Sequence, residues 1–161
     1  MTLNIVVLAL VTLQRLAELW LSNRNTRRLL ARRAHEAGAS HYPLIVAVHA
    51  LWLATLWWLA PGRPIDGFWL AMFVLLELAR IWVVASLGNR WTTRIIILPG
   101  EPLVRRGPYR LVNHPNYLVV VGEIAVLPLV FGLWQVALIF SLLNAAVLTV
   151  RIRGENRALG R

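Results

Sequence analysis

The chain has 161 residues, 58% of them hydrophobic and 15% charged, with a formal net charge of +10, eight Trp and no Cys. Soluble domains average about 45–50% apolar and about 25% charged residues, so this composition excludes an ordinary water-soluble globule and points to a small integral membrane protein. The lack of Cys excludes a disulfide framework, a thiolate metal site and a Cys nucleophile. All seventeen basic residues are Arg and they cluster between apolar runs, which makes anionic lipid headgroups, rather than nucleic acid, their expected partner.

A spanning helix needs about 20 mostly apolar residues, with about 17 as the lower limit. The first apolar stretch, Met1 to Leu21, lacks a positive leader and a small-residue cleavage site, so it reads as a retained helix. Asn25 to Ala37 follows, with arginines around Leu29 and Leu30, and reads as an interfacial helix on the inner leaflet. Pro43 to Ala60 is the second stretch, in which His49 has no ionisable neighbour within a turn and reads as a hydrogen-bonded interior histidine. Gly67 to Leu87 is the third. Tyr117 to Val130, the fourth, is short and lies between Pro115 and Pro128; with Leu133 to Val150, the fifth, it forms a tilted or partly re-entrant hairpin with a short loop. The expectation is an all-α integral membrane protein of about five transmembrane helices in a single domain, 1–161, without internal repeats.

Arginine placement sets the expected orientation, because loops retained in the cytoplasm carry the positive excess. Arg24, Arg27, Arg28, Arg32 and Arg33 follow the first stretch; Arg90, Arg94, Arg105, Arg106 and Arg110 follow the third; Arg151, Arg153, Arg157 and Arg161 follow the fifth. The two other connections carry only Arg63, fourteen arginines against one, which places the N-terminus outside and the C-terminus inside.

Ionisable residues also fall within the apolar stretches, where they cost a few kcal/mol each unless they face the bundle interior and find partners. Arg15 and Glu18, and likewise Glu77 and Arg80, have the i, i+3 spacing that puts opposite charges on one helical face; Glu123 lies in the fourth stretch. The first pair reads equally as a structural tie or a cavity feature. The second reads as a cavity wall, since Trp82 and Ser86 follow toward the polar loop. The four His show no metal-ligand spacing, so no metal is assigned, and no Gly-rich phosphate loop is present.

The third polar connection is the most informative segment. Gly107-Pro108 is a turn signal, and Pro115 is suited to the first position of a helix, so His114 is presented at a helix mouth between Tyr109 and Tyr117. These residues resemble the isoprenylcysteine carboxyl methyltransferase family, whose signature is Gly-x-Tyr, then Arg-His-Pro-x-Tyr, then Arg-x-x-x-Glu-Glu after the last helix. Here they read Gly107-Pro108-Tyr109, Asn113-His114-Pro115-Asn116-Tyr117 and Arg151-Ile152-Arg153-Gly154-Glu155-Asn156. The likeness covers about Leu87 to Leu159. Upstream, Ala39 to Pro43 and Arg80-Ile81-Trp82 are similar to a bacterial branch associated with type III polyketide synthases, whose members methylate long-chain pyrones and phenolic lipids. Two positions depart from the pattern: Asn113 replaces an Arg, and Asn156 replaces the second Glu.

The resemblance implies methyl transfer from S-adenosylmethionine to a lipid-like acid, phenol or hydroxypyrone, at the cytoplasmic rim of a bacterial inner-membrane protein. It implies a cofactor-binding half at about 87–161, with Val104, Gly107, Tyr109, His114, Pro115, Tyr117 and Glu155 around the cofactor. Arg151 and Glu155 would act in catalysis, the Arg orienting the acceptor oxygen and the Glu engaging the cofactor or steadying the Arg; Arg80, Trp82 and Trp91 would contact substrate. Taken alone, Arg151 and Glu155 read as an exposed i, i+4 ion pair worth a few tenths of a kcal/mol. Two other functions compete: an NADPH-dependent membrane reductase of related architecture, and a non-catalytic membrane scaffold.

Overall fold

The computed structural model describes residues 2–160; Met1, at the head of the first apolar stretch, and Arg161, in the basic tail, lie outside them. The bundle consists of α1 (Leu3–Ala31), α2 (Tyr42–Leu59), α3 (Gly67–Leu87), α4 (Pro115–Val130) and α5 (Trp134–Ala158). By length and composition α1, α2 with the 3-10 turn before it, α3 with the turn after it, and α5 can each cross a membrane. At 16 residues α4 is shorter, so four helices rather than five meet the length requirement. Leu10, Leu13 and Leu16 on α1, Trp58 on α2, Leu78 and Ile81 on α3, and Leu138, Ile139 and Leu142 on α5 are all exposed. A surface that apolar fits hydrocarbon and not water.

The interior is packed by Leu8 and Val11 of α1, Val48, Trp52 and Leu56 of α2, Phe73 of α3, Ile124, Leu127 and Val130 of α4, and Val136, Phe140 and Val147 of α5. At one end of the bundle the turns are short. The Asn4 carboxamide donates to the Ala60 carbonyl at 2.7 Å, and Asp66 caps α3 by accepting from the Phe68 and Trp69 amides. Gly132, with φ +67°, lets α4 reverse into α5 across residues 131–133, the expected short-looped hairpin. Pro128 sits inside α4 without ending it.

The opposite, arginine-rich end differs from the sequence expectation. Asn25 to Ala37 is not a separate interfacial helix: α1 runs on to Ala31, because Ser22, Asn25 and Leu29 are buried against the rest of the bundle. The Asn25 amide donates to the carbonyls of Gly88 and Trp91, and the Ser22 hydroxyl pairs with that of Thr93. The chain then turns at Arg33, with φ +67°, into β1 (His35–Ala37), which pairs antiparallel with β2 (Ile95–Ile97). This two-stranded sheet, absent from the all-α expectation, ties the first polar connection to the third.

The charges within the bundle pair between helices more than within them. Arg80 of α3 donates through Nε and Nη2 to the two oxygens of Glu18 on α1, both at 2.5 Å, and through Nη1 to Glu123 of α4 at 2.9 Å. Arg15 reaches Glu123 at 2.6 Å and Glu18 at 3.4 Å. Two cations and two anions thus close a network across three helices. The expected Glu77–Arg80 pair does not form: the Arg80 guanidinium is spent on Glu18 and Glu123, and Glu77 Oε1 is buried without a hydrogen-bond partner among the described residues.

Candidate active site

The 3-10 turn Gly107–Arg110 prepares the mouth of the site. Gly107 has φ +55°, and a Cβ there would overlap the Ser86 hydroxyl and approach the Trp82 indole nitrogen to 3.1 Å. Glycine therefore seats this turn against α3, and Tyr109 is directed into a cavity of about 570 Å³ at the arginine-rich end. Burial pushes the Tyr109 hydroxyl above its ordinary value, with the Glu155 carboxylate adding to the shift, so it remains a neutral donor. Pro115 begins α4 as expected and holds His114 just outside the first turn.

α5 continues past the apolar stretch to Ala158, which carries Arg151 and Glu155 alongside the start of α4. The two do not pair directly. The Tyr117 hydroxyl stands between them, accepting from Arg151 Nε at 2.8 Å and donating to Glu155 Oε2. Arg151 Nη2 donates to the Thr93 carbonyl, and its guanidinium also lies over the Tyr117 ring. His114 stacks on Tyr117 with ring centroids 5.2 Å apart. Its Nδ1 is 3.7 Å from the Glu155 carboxylate, and its Nε2 is 3.2 Å from the Asn156 side-chain oxygen. Asn156, one of the two departures, thus holds the histidine ring; the other, Asn113, lines the cavity.

This polar cavity is walled by Val104, Tyr109, His114, Tyr117, Arg151 and Glu155, with Trp91, Asn116 and the side chains of β2. Arg90, Arg94, Arg105 and Arg110 bring positive charge to it. A second cavity, of about 280 Å³, opens among α1, α2, α4 and α5 and is lined mainly by apolar groups, including Leu16, Ile45, Leu53, Val120 and Val147. Arg80 lines this second space. Trp91, Asn116, Tyr117 and Arg151 line both.

Of the residues expected around a cofactor, Val104, Tyr109, His114, Tyr117 and Glu155 come together, whereas Gly107 and Pro115 shape the backbone outside the cavity wall. Trp82 lines neither cavity: its side chain is half exposed on the outer face of α3, and its carbonyl accepts from Ser86. Thr93 is a contributor that sequence reading missed. Its hydroxyl joins those of Ser22 and Tyr42, and its carbonyl holds Arg151, so one residue links α1, α2 and α5. Asn116 was also missed, although it fills the open position of the His-Pro-x-Tyr motif; its buried Oδ1 has no partner among the described residues.

The chain is 37% identical over 158 residues to YpbQ, an uncharacterized protein of Bacillus subtilis (strain 168), covering 95% of this chain and 94% of that one. It is 30% identical over 91 residues to an uncharacterized protein of Haemophilus influenzae, covering 56% of this chain and 53% of the relative. No solved structure matches. The family model for isoprenylcysteine carboxyl methyltransferases matches residues 69–161, more than half the chain and all of the polar site, and the protein belongs to the isoprenylcysteine carboxyl methyltransferase (ICMT) family.

Proposed function

We propose that the protein is an S-adenosylmethionine-dependent O-methyltransferase acting on a membrane-embedded, lipid-like acceptor: a carboxylate, a long-chain phenol or a hydroxypyrone. The observation that carries this reading is the shared wall. A polar, arginine-lined cavity and an apolar one among the helices adjoin at Trp91, Asn116, Tyr117 and Arg151, so a water-soluble donor and a greasy acceptor can meet there. The arginine-rich end faces the cytoplasm of a bacterial inner membrane in this reading, following the positive-inside bias. The shorter α4 completes the bundle as its fifth segment.

The residues fit the donor. Arg90, Arg94, Arg105 and Arg110 suit its carboxylate, Glu155 suits its ammonium or ribose groups, and the Asn116 oxygen, without a partner among the described residues, can accept a hydrogen bond. The rings of Trp91, Tyr109 and His114 offer faces to a sulfonium and an adenine. When bound, S-adenosylmethionine supplies an electrophilic methyl group. The protein's own part is alignment. Arg151, held by the Thr93 carbonyl and the Tyr117 hydroxyl, positions an anionic acceptor oxygen where the cavities join, while Tyr117 keeps Glu155 and Arg151 in fixed register. The apolar walls exclude water, which would otherwise compete as acceptor.

Equilibrium binding to the detergent-solubilised protein tests the cofactor assignment. S-adenosylmethionine is expected to bind saturably, with Glu155→Gln weakening it at least 10-fold. Saturable NADPH binding without S-adenosylmethionine binding would replace this reading with the reductase.

A further inference from the structure

The apolar cavity contains polar groups that the chemistry at its inner end does not use. Asn144 of α5 is 4% exposed and lines this space, yet its carboxamide makes no hydrogen bond among the described residues. It precedes Arg151 by seven residues on the same helix, so it lies on the same face about 10 Å from Arg151 along the axis. Across from it, α2 packs on α5 and contributes His49 to the same lining. His49 Nδ1 is 2.9 Å from the Ile45 carbonyl, which can only accept, so Nδ1 carries the proton and the neutral ring's Nε2 is an unused acceptor. A buried amide with no partner, and an imidazole whose Nε2 has none, among the described residues, are costly to leave unpaired in a mainly apolar wall. Both lie outside the catalytic cluster, and neither belongs to the charge network of Arg15, Glu18, Arg80 and Glu123.

We infer that Asn144 and His49 form a second polar station in the acceptor site, selecting a long-chain lipid with a hydroxyl group on its chain about 10 Å from the oxygen that receives the methyl group. A hydroxyl satisfies both partners at once, donating to His49 Nε2 and accepting from the Asn144 amide. A plain alkyl chain leaves both unpaired. The inference rests on reading the apolar cavity as the acceptor site, but it concerns binding and stands or falls separately from methyl transfer.

The test uses the purified full-length protein in detergent, with octadecanoic acid and its mid-chain hydroxy derivative as probes and ligand-induced thermal stabilisation as the readout. For the wild type, the hydroxy acid is expected to bind about 5- to 10-fold more tightly than the plain acid, a ratio set by one net buried hydrogen bond. In Asn144→Leu the ratio falls to near one while affinity for the plain acid is retained, a pattern that general loosening of the bundle does not produce. His49→Phe, on a different helix, repeats the result should Asn144→Leu fold poorly. Equal preference in wild type and variants, or no binding of either acid to the wild type, overturns the proposal. Discrimination in binding without methylation of either acid in parallel assays leaves the station in place and counts against a carboxylate as the group that is methylated.

Discussion

The hydroxyl of Tyr117 is the only bridge between Arg151 and Glu155 among the described residues, so removing it separates two charged groups that the backbone places one helical turn apart. A hydrogen bond to a charged group contributes about 1.5–3 kcal/mol. Tyr117→Phe should therefore lower methyl transfer by roughly 10- to 150-fold at unchanged membrane abundance, read by label transfer against immunoblot. A loss under threefold would show that the bridge is dispensable. Gly107→Ala acts differently, since the added methyl group collides with Ser86 at a backbone angle that disfavours a side chain. It should destabilise the protein by about 1–3 kcal/mol, seen as a lower melting temperature of the purified protein. The motif residues were legible because their spacing is local. The Tyr117 bridge was not, because Arg151 and Glu155 are a turn apart in sequence and looked like a direct pair; only packing α5 on α4 inserts the ring between them.

Among the helices, the network of Arg15, Glu18, Arg80 and Glu123 makes α1, α3 and α4 depend on one another. Removing one member strands its partners in a low-dielectric interior, which costs about 3–5 kcal/mol for a buried pair. Arg80→Met should lower the melting temperature sharply. The charge-balanced double variant Glu18→Met/Arg80→Met keeps the Arg15–Glu123 contact and should recover at least half of that loss. A double variant no more stable than the single would refute the network account. The apolar stretches were readable because about 20 consecutive apolar residues permit few alternatives in a chain this size. The partners of Arg80 were not: i, i+3 spacing favours Glu77, and only the tertiary packing brings Glu18 and Glu123 closer. The pairing of β1 with β2 was also illegible, since three-residue strands carry no useful alternation and the partners lie on opposite sides of α2 and α3 in sequence.

For the molecule as a whole, the proposed function depends on the division into an arginine-rich end and a short-turn end. The native chain has no Cys, so single cysteines give clean labelling. Arg27→Cys and Arg157→Cys should react with an impermeant maleimide only after the inner membrane is opened, and Arg63→Cys should react in intact spheroplasts. The reverse pattern would place the polar cavity away from any supply of donor. The central claim, that a methyl group is transferred to a lipid where the two cavities adjoin, is tested most directly with tritiated S-adenosylmethionine and membranes containing the wild type, Tyr117→Phe or Glu155→Gln at matched levels. The account predicts organic-extractable label with the wild type and at least a 10-fold loss in both variants; equal labelling in all three, or none above membranes lacking the protein, would contradict it.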